Sequence, residues 1–245
     1  IEDIPANQLE NWAKIQADRF KHNVIRGFHT ELETVYEEKN MSLTRDSRKL
    51  NEAMFSALFK NHPYGTQTVL GTQDHLKNPS ITNIKNYYKK WYVPNNMAIC
   101  MSGDFDFDEA MDVIEKYFGD MKPNKDLQMM NFEPEEEITE PIVREVWGLE
   151  SERVALAWRF PGAASDEALM LSVIDAIMNN GMAGIIDLNL LQNQKLLSAF
   201  SFPYEQTDYT AYFMQGTPKE GQTLDEVNCY LIEIHNVYQK LFQLM

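Results

Sequence analysis

The stretch Glu31-Leu32-Glu33-Thr34-Val35-Tyr36-Glu37-Glu38 decides how the rest of this sequence is interpreted. It lies inside a helical pattern that is predicted to cover residues 28–40. Glu31 and Glu38 are seven residues apart, which is about two turns of an α-helix, so their carboxylates point the same way. One carboxylate of such a pair could ligate a metal while the other supports the site, although glutamates on a helix are more often a solvated face. The spacing alone leaves both interpretations open.

The composition indicates an acidic globular protein. The 245 residues include 37 Asp and Glu against 22 Lys and Arg, which gives a formal net charge of −15. This charge repels phosphate backbones, so general nucleic-acid binding is disfavoured. No apolar run is long enough to span a membrane. The two cysteines, Cys100 and Cys229, cannot build a disulfide scaffold or a cysteine zinc finger by themselves.

The apolar pattern divides the chain into two halves. An acidic segment bounded by prolines, residues 122–141, is predicted to be a linker between residues 1–121 and residues 142–245. Because helical patterns alternate with short strand-like runs on both sides of it, the predicted fold class is α+β. Strands are predicted at residues 97–101, 142–147, 154–160, 200–204 and 209–214.

The common catalytic signatures are absent from the sequence. There is no GxGxxG, GxxxxGK[ST], GxSxG or CxxC motif. No two histidines have the HExxH or HxxEH spacing that places two imidazoles around a zinc ion. Each histidine is therefore predicted to have a structural or surface role. The five are His22, His29, His62, His75 and His235.

Several segments, taken in order, resemble the pitrilysin/insulinase family of zinc metallopeptidases. Residues 31–38 resemble the Glu-x6-Glu helix of that family. Residues 157–161 and 181–191, beyond the linker, resemble the opening of a second, structurally repeated domain. The resemblance covers essentially the whole chain, and its specificity comes from the order of the segments. The others are His62-Pro63-Tyr64-Gly65, Gly71-Thr72, Tyr87 to Tyr92, Val93-Pro94-Asn95-Asn96-Met97, Gly103-Asp104-Phe105 and Ile114-Glu115-Lys116-Tyr117-Phe118-Gly119.

The resemblance implies a zinc site of which this chain carries one ligand. In the family, the two histidines of an inverted HxxEH motif bind zinc and the glutamate of the motif is the general base. The third ligand corresponds to Glu38, and Glu31 corresponds to the residue that supports the site. The HxxEH motif lies further upstream than the 37 residues that precede Glu38, so both histidine ligands and the base are missing.

We therefore expect a fragment of a zinc metalloendopeptidase that hydrolyses peptides or small proteins. Zinc is expected in the intact parent and not in this chain, which by itself should be inactive. The resemblance also implies two repeated domains of antiparallel-rich sheet covered by helices, both incomplete here. Because an incomplete domain exposes apolar surface, self-association or contact with a partner domain is expected.

The alternative is a non-catalytic structural or partner subunit with the same fold. The missing HxxEH motif favours this alternative, whereas the presence of both Glu31 and Glu38 favours the enzyme. The sequence upstream of Ile1 would discriminate between them. Cysteine usage fits several compartments, among which the bacterial periplasm or cell envelope is favoured over the cytoplasm or an organelle.

Overall fold

A computed structural model describes residues 2–244 of the chain. Ile1 and Met245, which the predicted domain bounds include, lie outside the described residues, as do the side chains of Tyr238 and of residues 241–244. The helices are α1 (Leu9–Lys21), α2 (Phe28–Leu43), α3 (Asp46–Leu58), α4 (Pro63–Thr66), α5 (Gln73–Lys77), α6 (Ile81–Trp91), α7 (Phe107–Phe118), α8 (Asp166–Met178) and α9 (Leu224–Leu244). The strands are β1 (Val154–Pro161), β2 (Ser198–Glu205) and β3 (Tyr209–Thr217).

The described chain divides into two compact units. The first contains the residues up to 42 together with residues 69–133, and the second contains residues 43–68 together with the residues from 134 onward. Residues 122–141 form neither helix nor strand, and a domain boundary there stays a prediction. No helix among the described residues is both long and apolar enough to cross a membrane.

The first unit is helical, and its described residues include no strand. α1 packs along α7, where the ring centroids of Trp12 and Phe118 are 6.4 Å apart. α2 is tied to the start of α5, since the side-chain oxygen of Asn40 accepts a hydrogen bond from Gln73 at 2.6 Å. The apolar core of this unit is small. Its fully or nearly buried members include Ala13, Ala17, Val93 and Ala110.

Side-chain caps fix where several helices begin. At the start of α6 the hydroxyl of Ser80 accepts a hydrogen bond from the N–H of Asn83 at 3.3 Å. Asp106 and Ser165 cap α7 and α8 in the same way. Each cap satisfies one of the N–H groups that the first turn of a helix leaves without an intrahelical partner.

The second unit is built on a three-stranded antiparallel sheet in the order β1-β3-β2. In the register, Phe202 of β2 lies opposite Phe213 of β3. Successive side chains of a strand point to opposite faces of the sheet. One face of β3 therefore carries Tyr212 and Met214, and the other carries Ala211 and Phe213.

The two faces of this sheet are covered by different helices. α8 and α9 pack on the side of Tyr212 and form the larger core, so we call this side the main-core face. α3 packs on the side of Phe213, where Leu58 and Phe59 are buried, and we call this side the α3 face. The buried side chains of the main-core face include Leu171, Ile174, Met178, Ile186, Leu190, Tyr212, Met214, Val227, Leu231 and Ile234.

The prediction of an α+β fold is confirmed. The strands predicted at residues 154–160, 200–204 and 209–214 lie within β1, β2 and β3. The strands predicted at residues 97–101 and 142–147 are wrong, because the structure forms no strand there. A strand needs ladder hydrogen bonds to a neighbouring chain segment, and the described residues offer neither segment such a partner.

Candidate functional site

The two predicted metal-site glutamates lie on α2. Glu31 and Glu38 are both exposed, and the N–H of Glu31 donates to the carbonyl oxygen of Gly27 at 3.0 Å. No group of three or more His, Cys, Asp or Glu side chains among the described residues is arranged to hold a metal ion. A catalytic zinc site needs three protein ligands and an open position for water. The described residues therefore do not fit a complete zinc site, and the roles of Glu31 and Glu38 stay predictions.

His62 is the histidine with the most closely packed surroundings. Its side chain is 2% exposed, and its Nδ1 accepts the N–H of Tyr64 at 3.2 Å, which caps α4. Its Nε2 is 3.3 Å from Oδ2 of Asp208, in the turn between β2 and β3. Because Nδ1 is an acceptor, the ring proton lies on Nε2 and faces Asp208. These contacts agree with the predicted structural role.

Glu135 and Arg159 hold the corner between α3 and α4, and we call this pair the corner clamp. Oε1 of Glu135 accepts hydrogen bonds from the N–H groups of Asn61 and His62, both at 2.7 Å. The guanidinium of Arg159 donates to the carbonyl oxygen of Leu58 at the end of α3 and lies 3.8 Å from Oε2 of Glu135. The acid thus satisfies N–H groups at the start of one helix, and the cation satisfies a carbonyl at the end of another.

The surroundings of Glu135 favour its charged form. Burial alone would raise the pKa of Glu135. The N–H groups of His62, Asn61 and Lys60, helped by the charge of Arg159, outweigh burial and lower the pKa below its usual value. The clamp therefore works with an ionised carboxylate.

Asp175, on α8 at the main-core face, has a pKa shift opposite in direction to that of Glu135. Its Oδ1 accepts hydrogen bonds from the hydroxyl groups of Ser201 at 2.6 Å and Tyr212 at 2.9 Å. Burial raises the pKa of Asp175, and these two hydrogen bonds oppose the rise only in part. Asp175 therefore holds its proton to a higher pH than an exposed aspartate does.

A cavity of about 500 Å³ adjoins the corner clamp. Its walls come from the end of α3 and from residues 135–144. Lys60 and Arg144 line it together with Glu137 and Glu140. Charges of both signs are therefore present, and the lining favours no single ligand charge.

β2 lies at the edge of the sheet and carries a row of exposed aromatic rings. Phe200, Phe202 and Tyr204 are 37%, 40% and 47% exposed, whereas Ser201 and Pro203 between them are buried and half-buried. Within the described part of the chain β2 pairs with β3 alone, but its outer side is only partly open, because Pro203 has no N–H to donate and the carbonyl oxygen of Ser201 accepts a hydrogen bond from Asn179 at 3.1 Å. We call the three rings and this outer side the β2 edge surface.

The β2 edge surface is not among the sequence-based predictions, which gave only a strand at residues 200–204. The signal that could have indicated it is the alternation of large aromatic and small residues from Ala199 to Tyr204. Such alternation predicts two different faces but does not reveal which face stays open. That depends on how far α3 reaches across the sheet.

Comparison with known proteins decides the family. The family model described as "Peptidase M16 inactive domain" matches residues 80–242, which is well over half of the chain. The chain belongs to the M16 peptidase family. The match includes all three strands and the β2 edge surface, and it begins after Glu31, Glu38 and the α3–α4 corner. The resemblance to the pitrilysin/insulinase zinc metallopeptidases is thereby confirmed.

Individual relatives agree with the M16 assignment. An uncharacterized zinc protease of Mycobacterium leprae is 25% identical over 161 residues, which are 62% of this chain and 35% of the relative. A protease from Helicobacter pylori has a similar fold, with a TM-score of 0.81 and 19% identity over 96% of this chain and 57% of that one. A chain of complex III2 from Candida albicans also has a similar fold, with a TM-score of 0.64 and 15% identity over 88% of this chain and 54% of that one. This chain thus matches only part of the length of each relative.

Proposed function

We propose that this chain is part of a zinc-dependent endopeptidase of the M16 family, in which residues 142–245 hold the peptide substrate. The observation that carries the proposal is the β2 edge surface, which lies inside the part of the chain that matches the inactive domain. A domain that lacks the catalytic ligands can still contribute by binding and aligning the substrate.

An extended peptide is the ligand that suits the β2 edge surface. Its backbone can pair with the outer groups of β2, apart from the N–H that Pro203 lacks and the Ser201 carbonyl that Asn179 occupies, as an added strand does at many sheet edges. Its alternate side chains then lie beside Phe200, Phe202 and Tyr204, which offer apolar contacts on one face only. Backbone pairing supplies affinity for many sequences, and the aromatic row supplies selectivity for apolar side chains.

The metal part of the proposal assigns Glu38 as one zinc ligand, supported by Glu31. The proposal draws on the Glu-x6-Glu pattern and on the zinc protease among the relatives. The other ligands and the general base would come from residues outside these 245. By itself, the chain is therefore expected to bind peptides without hydrolysing them.

Peptide binding can be tested on the chain as it stands. The fluorescence polarisation of a fluorescein-labelled extended peptide with alternating Leu and Thr should rise when the chain is added. Because a buried aromatic side chain contributes about 1.5–3 kcal/mol, Phe202→Ser should weaken binding about tenfold or more. The matched control is Leu169→Ser, a 68% exposed position on α8, which packs on the face of the sheet opposite the three rings.

The mode of binding needs a second measurement. A peptide N-methylated at every residue has no backbone donor on either edge, so it should bind much more weakly than the unmethylated peptide. No polarisation change with any peptide, or equal binding of the methylated and unmethylated peptides, would contradict strand addition at β2.

A non-catalytic subunit with the same fold is the second candidate. It draws on the similarity in fold to a chain of complex III2 and on the lack of a three-ligand metal group among the described residues. Sequencing the gene upstream of Ile1 discriminates between the two. An HxxEH motif there supports the endopeptidase, and its absence supports the subunit.

A further inference from the structure

α3 contributes an aromatic ring beside the β2 edge surface. Phe55 of α3 contacts Tyr204 of β2 edge-to-face, with ring centroids 5.6 Å apart and planes at 86°. Phe55 also lies 5.7 Å from the ring of Phe213 on β3. It precedes the part of the chain that matches the M16 inactive domain, which begins at residue 80.

The position of Phe55 matters for any strand that is added to β2. Tyr204 is 47% exposed, so one side of its ring remains open to a ligand while its neighbour Phe55 limits how the ring can turn. Side chains directly opposite each other on neighbouring strands are about 5 Å apart, and diagonal ones about 7–8 Å. A peptide side chain opposite Tyr204 therefore meets a ring whose orientation Phe55 holds.

Phe202 and Phe200 lack this restraint from α3. The ring centroid of Phe202 lies 5.2 Å from that of Phe213 and 6.1 Å from that of Phe200. The ring neighbours of Phe202 therefore belong to the sheet itself. The row thus has one end at Tyr204 that is supported by a helix, and another end at Phe200 that is supported by the neighbouring ring of its own strand. This difference predicts unequal selectivity along the row.

We propose that Phe55 is a specificity-determining residue of the β2 edge surface: by fixing the ring of Tyr204, it makes the surface prefer an apolar side chain at the one peptide position that faces Tyr204. The proposal rests on the proposed function, because it needs a peptide bound along β2. It adds to that function a residue from α3, which lies outside the region assigned to the inactive domain.

Phe55 also packs against the core of the α3 face, so its removal affects stability as well. A merely structural role would change the affinity for all peptides together. A role in specificity changes the ratio of affinities at one position only. Two variants are therefore needed: Phe55→Leu, which keeps an apolar side chain for packing, and Phe55→Ala, which removes most of it.

The experiment measures binding of a peptide series to the wild-type chain and to both variants, below the melting temperature of each. The peptides share one sequence and differ only in carrying Leu or Ser at each alternate position in turn. For the wild type, one position is expected to prefer Leu over Ser by about tenfold, as a well-formed apolar contact does. In Phe55→Leu and Phe55→Ala this preference should fall to about twofold or less, while the preferences at other positions stay unchanged. The matched control, Tyr87→Ala in the first unit, should leave every ratio as it is.

The outcomes separate the two proposals. If no peptide binds the wild-type chain, the proposed function fails and this inference fails with it. If peptides bind and the Leu preference survives in both Phe55 variants, the inference is overturned while the proposed function stands. Equal losses at all positions would also overturn it, since they indicate a structural role alone.

Discussion

The two faces of the sheet in the second unit are stabilised by different means. On the main-core face, α8 and α9 bury aliphatic side chains, and the half-buried Asp175 lies beside them, held by two hydroxyl groups. On the α3 face the buried apolar cluster is smaller, and the corner clamp of Glu135 and Arg159 fixes the end of the covering helix. The contrast is between burial of apolar area and pairing of charges with helix ends.

The contrast shows why one face stays partly open. Two helices cover the main-core face, whereas on the other face α3 packs with Tyr64 of α4 against the sheet, and its end is fixed near Arg159. The rings at the edge of the α3 face, Phe200 and Phe202, remain accessible as a result. Exposed aromatic rings thus remain where α3 does not cover the sheet.

The largest effect is expected from a cavity in the main-core face. Leu171 on α8 is fully buried, so Leu171→Ala removes apolar contacts and leaves a cavity, which should lower the free energy of unfolding by about 4 kcal/mol. Urea denaturation followed by circular dichroism measures it. Leu169→Ala on the same helix is the control, and because Leu169 is exposed its change should stay within about 0.5 kcal/mol. Equal losses in the two variants would contradict the assignment of this face as the main core.

The next largest effect is expected at the corner clamp. Arg159→Met keeps an apolar side chain but leaves the Leu58 carbonyl and the Glu135 carboxylate without their cation, which should lower the free energy of unfolding by about 3 kcal/mol. Glu135→Gln combined with Arg159→Met should cost less than the sum of the single variants, because the two residues interact.

The control for the clamp is Arg153→Met. Arg153 pairs with Glu150 three residues earlier, at a more exposed position, and its loss should cost less than about 1 kcal/mol. Additive effects of Glu135→Gln and Arg159→Met would mean that the pair does not act as a clamp.

The smallest effect is the pH dependence, and the two faces should differ in its sign. The pKa of Glu135 is lowered, so its carboxylate contributes stability that is present above the pKa of the unfolded chain and is lost as the pH falls through the native pKa. The pKa of Asp175 is raised, so its ionisation costs stability as the pH rises from the unfolded pKa through the higher native one.

Unfolding by urea between pH 3 and pH 7 tests this difference. The destabilisation caused by Glu135→Gln should grow as the pH rises, whereas Asp175→Asn should gain stability relative to the wild type over the same range. The double variant should have a pH slope between those of the single variants. Slopes of the same sign for the two single variants would show that burial, and not hydrogen bonding, controls both carboxyl groups.

Much of the fold was accessible from the sequence where local pattern and tertiary structure agree. The strand predicted at residues 154–160 and the strands around Phe202 and Phe213 are confirmed, because their apolar residues have partners in one sheet. The segments 97–101 and 142–147 have similar composition but no partner strand within the described residues. Periodicity identifies a segment that is able to form a strand, and pairing decides whether it does.

The candidate site was less accessible. Spacing singled out Glu31 and Glu38 and the resemblance gave them their roles, which stay predictions, while the order of the motifs indicated the family. The corner clamp joins residues about 70–100 positions apart, such as His62 with Glu135 and Leu58 with Arg159. No local sequence pattern predicts contacts at such a separation. The contact of Phe55 with Tyr204 is longer in range still.

By itself, the sequence determined the family, the α+β class and the shared helical face of Glu31 and Glu38, because these depend on residue type and on short, regular spacing. Only the tertiary structure decided that Glu135 is held ionised by backbone N–H groups, that the half-buried Asp175 has the opposite pKa shift, and that Phe200, Phe202 and Tyr204 stay exposed at a sheet edge. The physical reason is that pKa values and exposure depend on which distant groups come within a few ångströms, and that is fixed by packing rather than by any one segment.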